Sequence, residues 1–103
     1  MKYLEGIAEF CAVAEVGNFT GAANKLDTSV AQISRKVASL EKQLGVKLLH
    51  RTTRSVSLTE AGKVYFNQAH LALKQLEDAQ LSVSALQQSP QGLIKLTAPI
   101  AAN

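Results

Sequence analysis

The spacing of apolar positions changes several times along the chain, and each spacing predicts an element. From Tyr3 to Val16, Leu4, Ile7, Ala8, Cys11 and Ala14 follow the i, i+3, i+4, i+7 pattern of an amphipathic helix. Gly17-Asn18 ends it, glycine being the usual residue just past a helix C-terminus. Thr20 then stands where an N-cap belongs, with Phe19 before it as a hydrophobic staple, and a short second helix runs to Leu26. Its Ala22-Ala23 pair permits close approach by a neighbouring helix. After the break Asp27-Thr28-Ser29, a third helix carries Val30, Ile33, Val37, Leu40 and Leu44 as one apolar stripe, and Gly45 closes it. Steps of about 100° per residue put Ala31, Arg35, Ala38, Ser39 and Lys42 on the opposite face, flanked by Gln32 and Ser34.

The period then shortens. Val46–Leu49 and Ser55–Leu58 read as two short strands around a basic tip, His50-Arg51-Thr52-Thr53-Arg54, which after three helices makes a wing. Thr59 is placed to cap the last helix, with Glu60 in its first turn. That helix meets no proline until Ser89-Pro90, roughly 29 residues or about 43 Å. Tyr65, Ala69, Ala72, Leu76, Ala79, Val83 and Leu86 recur alternately at four and three, a heptad seam. Such a length exceeds what so small a domain covers, and predicts pairing with the same helix of a second copy rather than packing along one domain. Gln87–Gly92 has linker composition, and Leu93–Thr97 reads as a strand with no partner, the beginning of something longer. The expected architecture is therefore mainly α. Residues 1–58 form a winged helix-turn-helix, 59–89 a linker and dimerisation helix, and 90–103 a hinge and first strand of a domain that is not here.

Composition narrows the class. The 103 residues, 47% apolar, suit one domain with an appendage. No apolar run approaches the ~20 residues that cross a bilayer, and Glu5 and Glu9 interrupt any signal-peptide core. The single Cys11 excludes an internal disulfide and a multi-cysteine metal site, and reads as a small buried hydrophobe. A cytoplasmic protein without metal or cofactor is expected.

The net charge of +3 conceals an uneven distribution. Residues 1–27 set Lys2 and Lys25 against Glu5, Glu9, Glu15 and Asp27, a net −2. Residues 28–63 set Arg35, Lys36, Lys42, Lys47, Arg51, Arg54 and Lys63 against Glu41 and Glu60, a net +5, and the remainder is neutral. A basic block on a helix-turn-helix and wing points to a polyanion, specifically duplex DNA, whose major groove admits an α-helix. The third helix has the required form, one face anchored and the other polar. Thr28, Ser29, Ala31, Gln32, Ser34, Arg35 and Ser39 lie at its start or off the buried face.

Arg35 is the leading candidate for guanine, with a phosphate contact as its alternative, and Gln32 presents donor and acceptor to adenine. Ser34 suits a phosphate or a local cap, and Lys36, nearer the flank, suits phosphate. Val30 has two readings, core packing, which its place in the stripe favours, and a thymine methyl. Arg51 and Arg54, with Thr52 and Thr53 between them, suit the minor groove or flanking phosphates. Arg51 has a structural alternative with Glu41 or Glu60 as partner. Thr20 would offer a phosphate its hydroxyl and nearby N–H groups.

From Phe10 to about Leu71 the chain resembles the DNA-binding domain of LysR-type transcriptional regulators. The matching residues include Phe10, Ala12-Val13-Ala14, Gly17-Asn18-Phe19-Thr20, Ala22-Ala23, Leu26, Ser34-Arg35, Leu40-Glu41, Leu44-Gly45, Leu48-Leu49, Arg51-Thr52-Thr53-Arg54 and Leu58-Thr59-Glu60-Ala61-Gly62. The resemblance implies a homodimer through the linker helix, open to tetramers, and a C-terminal domain that takes a small-molecule effector. Val30 and Ala31 depart from it, since family members often carry Gln followed by Pro or Ser there.

Two other classes compete. A protein-interaction module would use the long helix as its partner surface, but has no need of a basic third helix. An enzyme is not expected. His50 and His70 are isolated, the first supporting the wing and the second a solvated surface residue, and no phosphate-cradling glycine loop occurs.

Overall fold

The computed structural model describes residues 5–52 and 55–88, the last of these by its backbone alone. In order the elements are α1 (Ile7–Val16), α2 (Phe19–Leu26), α3 (Val30–Leu44), β1 (Leu49–Arg51), β2 (Val56–Leu58) and α4 (Glu60–Gln88). Two compact units divide at Leu73 and Lys74, within α4. The first holds a helical trio, an antiparallel two-stranded wing and the start of α4: a mainly α winged helix-turn-helix.

Helix α1 begins at Ile7, later than the apolar spacing predicts. Gly6 precedes it at φ 90°, a left-handed conformation that L-residues avoid, and a Cβ there would lie 2.4 Å from the Lys36 carbonyl oxygen. Leu4, the first residue of the expected stripe, falls outside the described residues. The N-cap of α2 is Asn18 rather than Thr20: its Oδ1 accepts the Gly21 N–H at 2.6 Å. Phe19 is thus the first helical residue, not a staple before the helix, and Thr20 lies exposed inside the first turn. At the start of α3, Ser29 caps by accepting the Gln32 N–H at 3.1 Å.

The core of this unit is aliphatic around one aromatic cluster. Phe10 and Val13 of α1, Ile33, Val37 and Leu40 of α3, and Leu48 before the wing are fully buried, with Ala22 and Ala23 letting α2 approach closely. Phe10 meets Tyr65 and Phe66 of α4 at centroid distances of 5.8 and 6.4 Å. The expected α3 stripe overhangs this core at both ends, leaving Val30 and Leu44 exposed.

The wing is shorter than predicted: β1 starts at Leu49 rather than Val46 and includes His50 and Arg51, paired with Ser57 and Val56. The cause is Glu41. Its carbonyl accepts the Val46 N–H at 3.2 Å and its buried carboxylate accepts the N–H groups of Leu48 and Leu49 at 2.8 and 3.2 Å, so the chain ahead of β1 is tied to α3 and pairing begins only at Leu49. Thr59 caps α4 as expected, its Oγ1 accepting the Gly62 N–H while donating to the Lys47 carbonyl. His70 is half-buried, not solvated: its ring stacks on Phe66 at 4.6 Å and Nδ1 bonds the Phe66 carbonyl. In the second unit, Leu76, Leu81, Val83 and Leu86 are exposed along α4. Among the described residues no helix is long and apolar enough to cross a membrane.

Candidate nucleic-acid interface

The start of α2, the start of α3 and the wing enclose an open groove. It is lined by Asn18, Phe19, Thr20, Val30, Ser34, Arg51, Thr52, Ser55 and Val56. Four of the expected site residues therefore meet here: Thr20, Ser34, Arg51 and Thr52. Arg51 lies in β1 rather than at a tip, its guanidinium 4.7 Å above the Phe19 ring centroid, and it donates a long bond of 3.4 Å to Ser34 Oγ. Neither Glu41 nor Glu60 is its partner. Thr52 ties the wing turn: its N–H donates to the Ser55 carbonyl at 3.0 Å, and its hydroxyl accepts the Ser55 N–H at 2.9 Å. Thr53 and Arg54 lie outside the described residues.

Beside the groove, Arg35 donates to Gln32 Oε1 at 2.6 Å, one turn apart on α3. The two candidate base readers are thus a bonded pair, with the Gln32 amide N–H groups and the remaining guanidinium N–H groups left as donors. Ala31 is exposed alongside Arg35, and Ser39 is half-buried further along the helix. Thr28 is exposed, its N–H donating to the Ala23 carbonyl and so fixing the turn, while Ser29 is committed to the cap. Lys36 is directed away from this face, its Nζ 3.2 Å from Glu5.

These pairings sort the basic block. Lys36 and Lys47 sit against Glu5 and Glu41, whereas Arg35, Lys42, Arg51 and Lys63 have no carboxylate partner among the described residues. Positive charge without a carboxylate partner thereby falls on α3, the wing and the start of α4, where a polyanion would neutralise it. Sequence reasoning missed Asn18 as a cap, Phe19 as the seat of Arg51 and Glu41 as the tie to the wing. For Glu41 a signal existed, an acid close to the apolar stripe of α3 with a glycine stop and Leu48-Leu49 soon after.

The three helices and the two-stranded wing define a winged helix-turn-helix protein. Residues 4–63 match the bacterial regulatory helix-turn-helix protein family, lysR family, and the chain belongs to that family. It is 46% identical over 90 residues to an HTH-type transcriptional regulator of Xanthomonas campestris pv. campestris, covering 87% of this chain and 26% of the relative. Over 96 residues it is 40% identical to the HTH-type transcriptional activator AaeR of Escherichia coli K12, covering 93% of this chain and 31% of that one. The chain therefore spans about a quarter to a third of the length of these relatives. These relatives are regulators, not enzymes.

Among solved structures, the CbnR DNA-binding domain in complex with DNA superposes with a TM-score of 0.71 at 34% identity, covering 84% of this chain and 99% of that one. The BenM DNA-binding domain bound to catB site 1 DNA gives 0.69 at 32% identity, covering 91% and 100%.

Proposed function

We propose that this chain binds duplex DNA at specific sequences as the DNA-reading part of a dimeric bacterial transcription regulator, with α3 in the major groove and the wing over the minor groove or flanking phosphates. The observation that carries the reading is the bonded pair Gln32–Arg35 on the exposed face of α3, beside a groove lined by Thr20, Ser34, Arg51 and Thr52. A pair that fixes its own geometry places amide and guanidinium donors toward one partner surface at reduced entropic cost. Two of the similar solved structures are complexes with DNA, which agrees with this reading. Thr53 and Arg54 would extend the cationic wing, and Thr28, Ala31 and Ser39 would border the contact.

Pairing of two copies would use the exposed positions of α4. Ala72 is exposed in the first unit, and Leu76, Ala79, Val83 and Leu86 in the second. Tyr65 and Ala69, the first members of the heptad, are engaged by the core of their own domain, so the seam would begin later than they do. A domain that takes a small-molecule effector would belong to a longer protein of the relatives' length.

Selection of bound sequences from a random DNA pool tests this. The expected product is a site of two related half-sites, bound in preference to random DNA at moderate salt. Arg35→Ala should relax the preference within each half-site, at the base facing Arg35 and at the one facing its bonded partner Gln32, while a wing cation lost should weaken all sequences alike and flatten the salt dependence. Recovery of no common sequence would refute the reading. Sedimentation of wild type and Leu76→Asp tests pairing, the variant being expected to shift to monomer.

A further inference from the structure

The surroundings of Val30 depart furthest from what its spacing predicts. As the first residue of an apolar stripe it belongs in the core, yet Ile33, Val37 and Leu40 fill the core without it and Val30 is 44% exposed. It opens α3 and lines the groove with Thr20, Ser34, Arg51 and Thr52. Thr20, Ser34 and Arg51 offer hydroxyls and a cation, groups that meet phosphates and the polar edges of bases. Val30 offers two methyl groups and no hydrogen bond, on a β-branched side chain with few rotamers. In the major groove of ordinary DNA the apolar group displayed at a base edge is the C5-methyl of thymine.

We propose that Val30 is a specificity-determining residue that packs against a thymine methyl, so that each half-site carries a thymine facing the start of α3. The proposal rests on the DNA-binding reading and adds the identity of one base. The cationic groove brings duplex DNA to this residue. An aliphatic surface there favours thymine over cytosine, whose C5–H edge leaves the methyls of Val30 against a smaller and more hydrated surface.

The test uses the site recovered by selection, with each thymidine replaced in turn by deoxyuridine, which lacks the methyl and keeps the O4 acceptor. At one position per half-site, binding by the wild-type chain should weaken about three- to tenfold. Val30→Ala, which removes nothing from the core and should keep the wild-type circular dichroism spectrum, should bind the thymidine and deoxyuridine sites alike. If every deoxyuridine site binds the wild type within about twofold, less than one buried methyl provides, the proposal falls while sequence selection stands. It also falls if Val30→Ala keeps the full preference for thymine. A chain that selects no sequence overturns the DNA-binding reading itself, and this proposal with it.

Discussion

The guanidinium of Arg51 lies over the ring of Phe19, 4.7 Å from its centroid, and seats the first strand of the wing on the first turn of α2. The same guanidinium reaches Ser34 of α3. One side chain thus fixes the angle between the wing and the two helices of the helix-turn-helix, and its worth lies in geometry as much as in charge.

Arg51→Lys keeps the charge and loses the planar face. It should cost about 0.5–1 kcal/mol, the range for a cation over an aromatic ring at an exposed site. Urea denaturation measures this. DNA affinity should fall across all sequences, because the wing loses its seat.

Glu41 is the buried acid of the domain, and it accepts two backbone N–H groups, those of Leu48 and Leu49. Glu41→Ala would strand both donors and should destabilise by about 2–4 kcal/mol. Glu41→Gln keeps an acceptor oxygen and should cost roughly half as much, because hydrogen bonds to a charged acceptor are the stronger kind. Equal losses in the two variants, read from urea midpoints at constant slope, would contradict this account.

Gly62 illustrates a different constraint. Its φ is ordinary, but a Cβ would lie 2.0 Å from the Leu48 carbonyl oxygen, where α4 crosses the chain entering the wing. Gly62→Ala should therefore destabilise by about 1–3 kcal/mol, the range for overpacking, despite alanine's better helix propensity. A gain in melting temperature would show that the crossing relaxes.

Cys11 is buried, and that burial, reinforced by Glu15, pushes its thiol from an ordinary 9.0 to about 11. The native protein should resist alkylation at pH 8 and react when unfolded. Between pH 9 and 11 the unfolded thiol ionises while the native one keeps its proton, so unfolding releases a proton and stability falls as pH rises through that window. Burial also raises the Tyr65 phenol, with the same sign. Cys11→Ala should make the decline shallower, measured as unfolding free energy against pH.

Much of this molecule is legible in its spacing, and the failures have specific causes. The buried triplet Ile33, Val37 and Leu40 follows from helical periodicity alone, because a stripe must face something. Periodicity does not say where the partner surface ends, so Val30 and Leu44 look like core and are not. Thr20 reads as the N-cap of α2 and Asn18 takes that place instead, because an Asn side chain accepts an N–H as well as a Thr does and the choice depends on where the chain turns after Gly17. The strand starts late because Val46 and Leu48 give their N–H groups to Glu41, one to its carbonyl and one to its carboxylate, ties to the end of α3 that strand-like composition does not encode. At the candidate site, Arg35 and Gln32 are legible as polar positions off the buried stripe; their mutual bond is not.

That bond carries a consequence for how such a chain can change over generations. Because Gln32 and Arg35 hold one another, replacing either alters the posture of the survivor, and their effects on DNA affinity should not add in a double-mutant cycle. A lineage moving to a new operator by altering either residue alone would pass through a poorly oriented reader. On the DNA-binding reading proposed above, new preferences at these positions would come chiefly through paired replacement, inherited as a two-residue word rather than as separate letters.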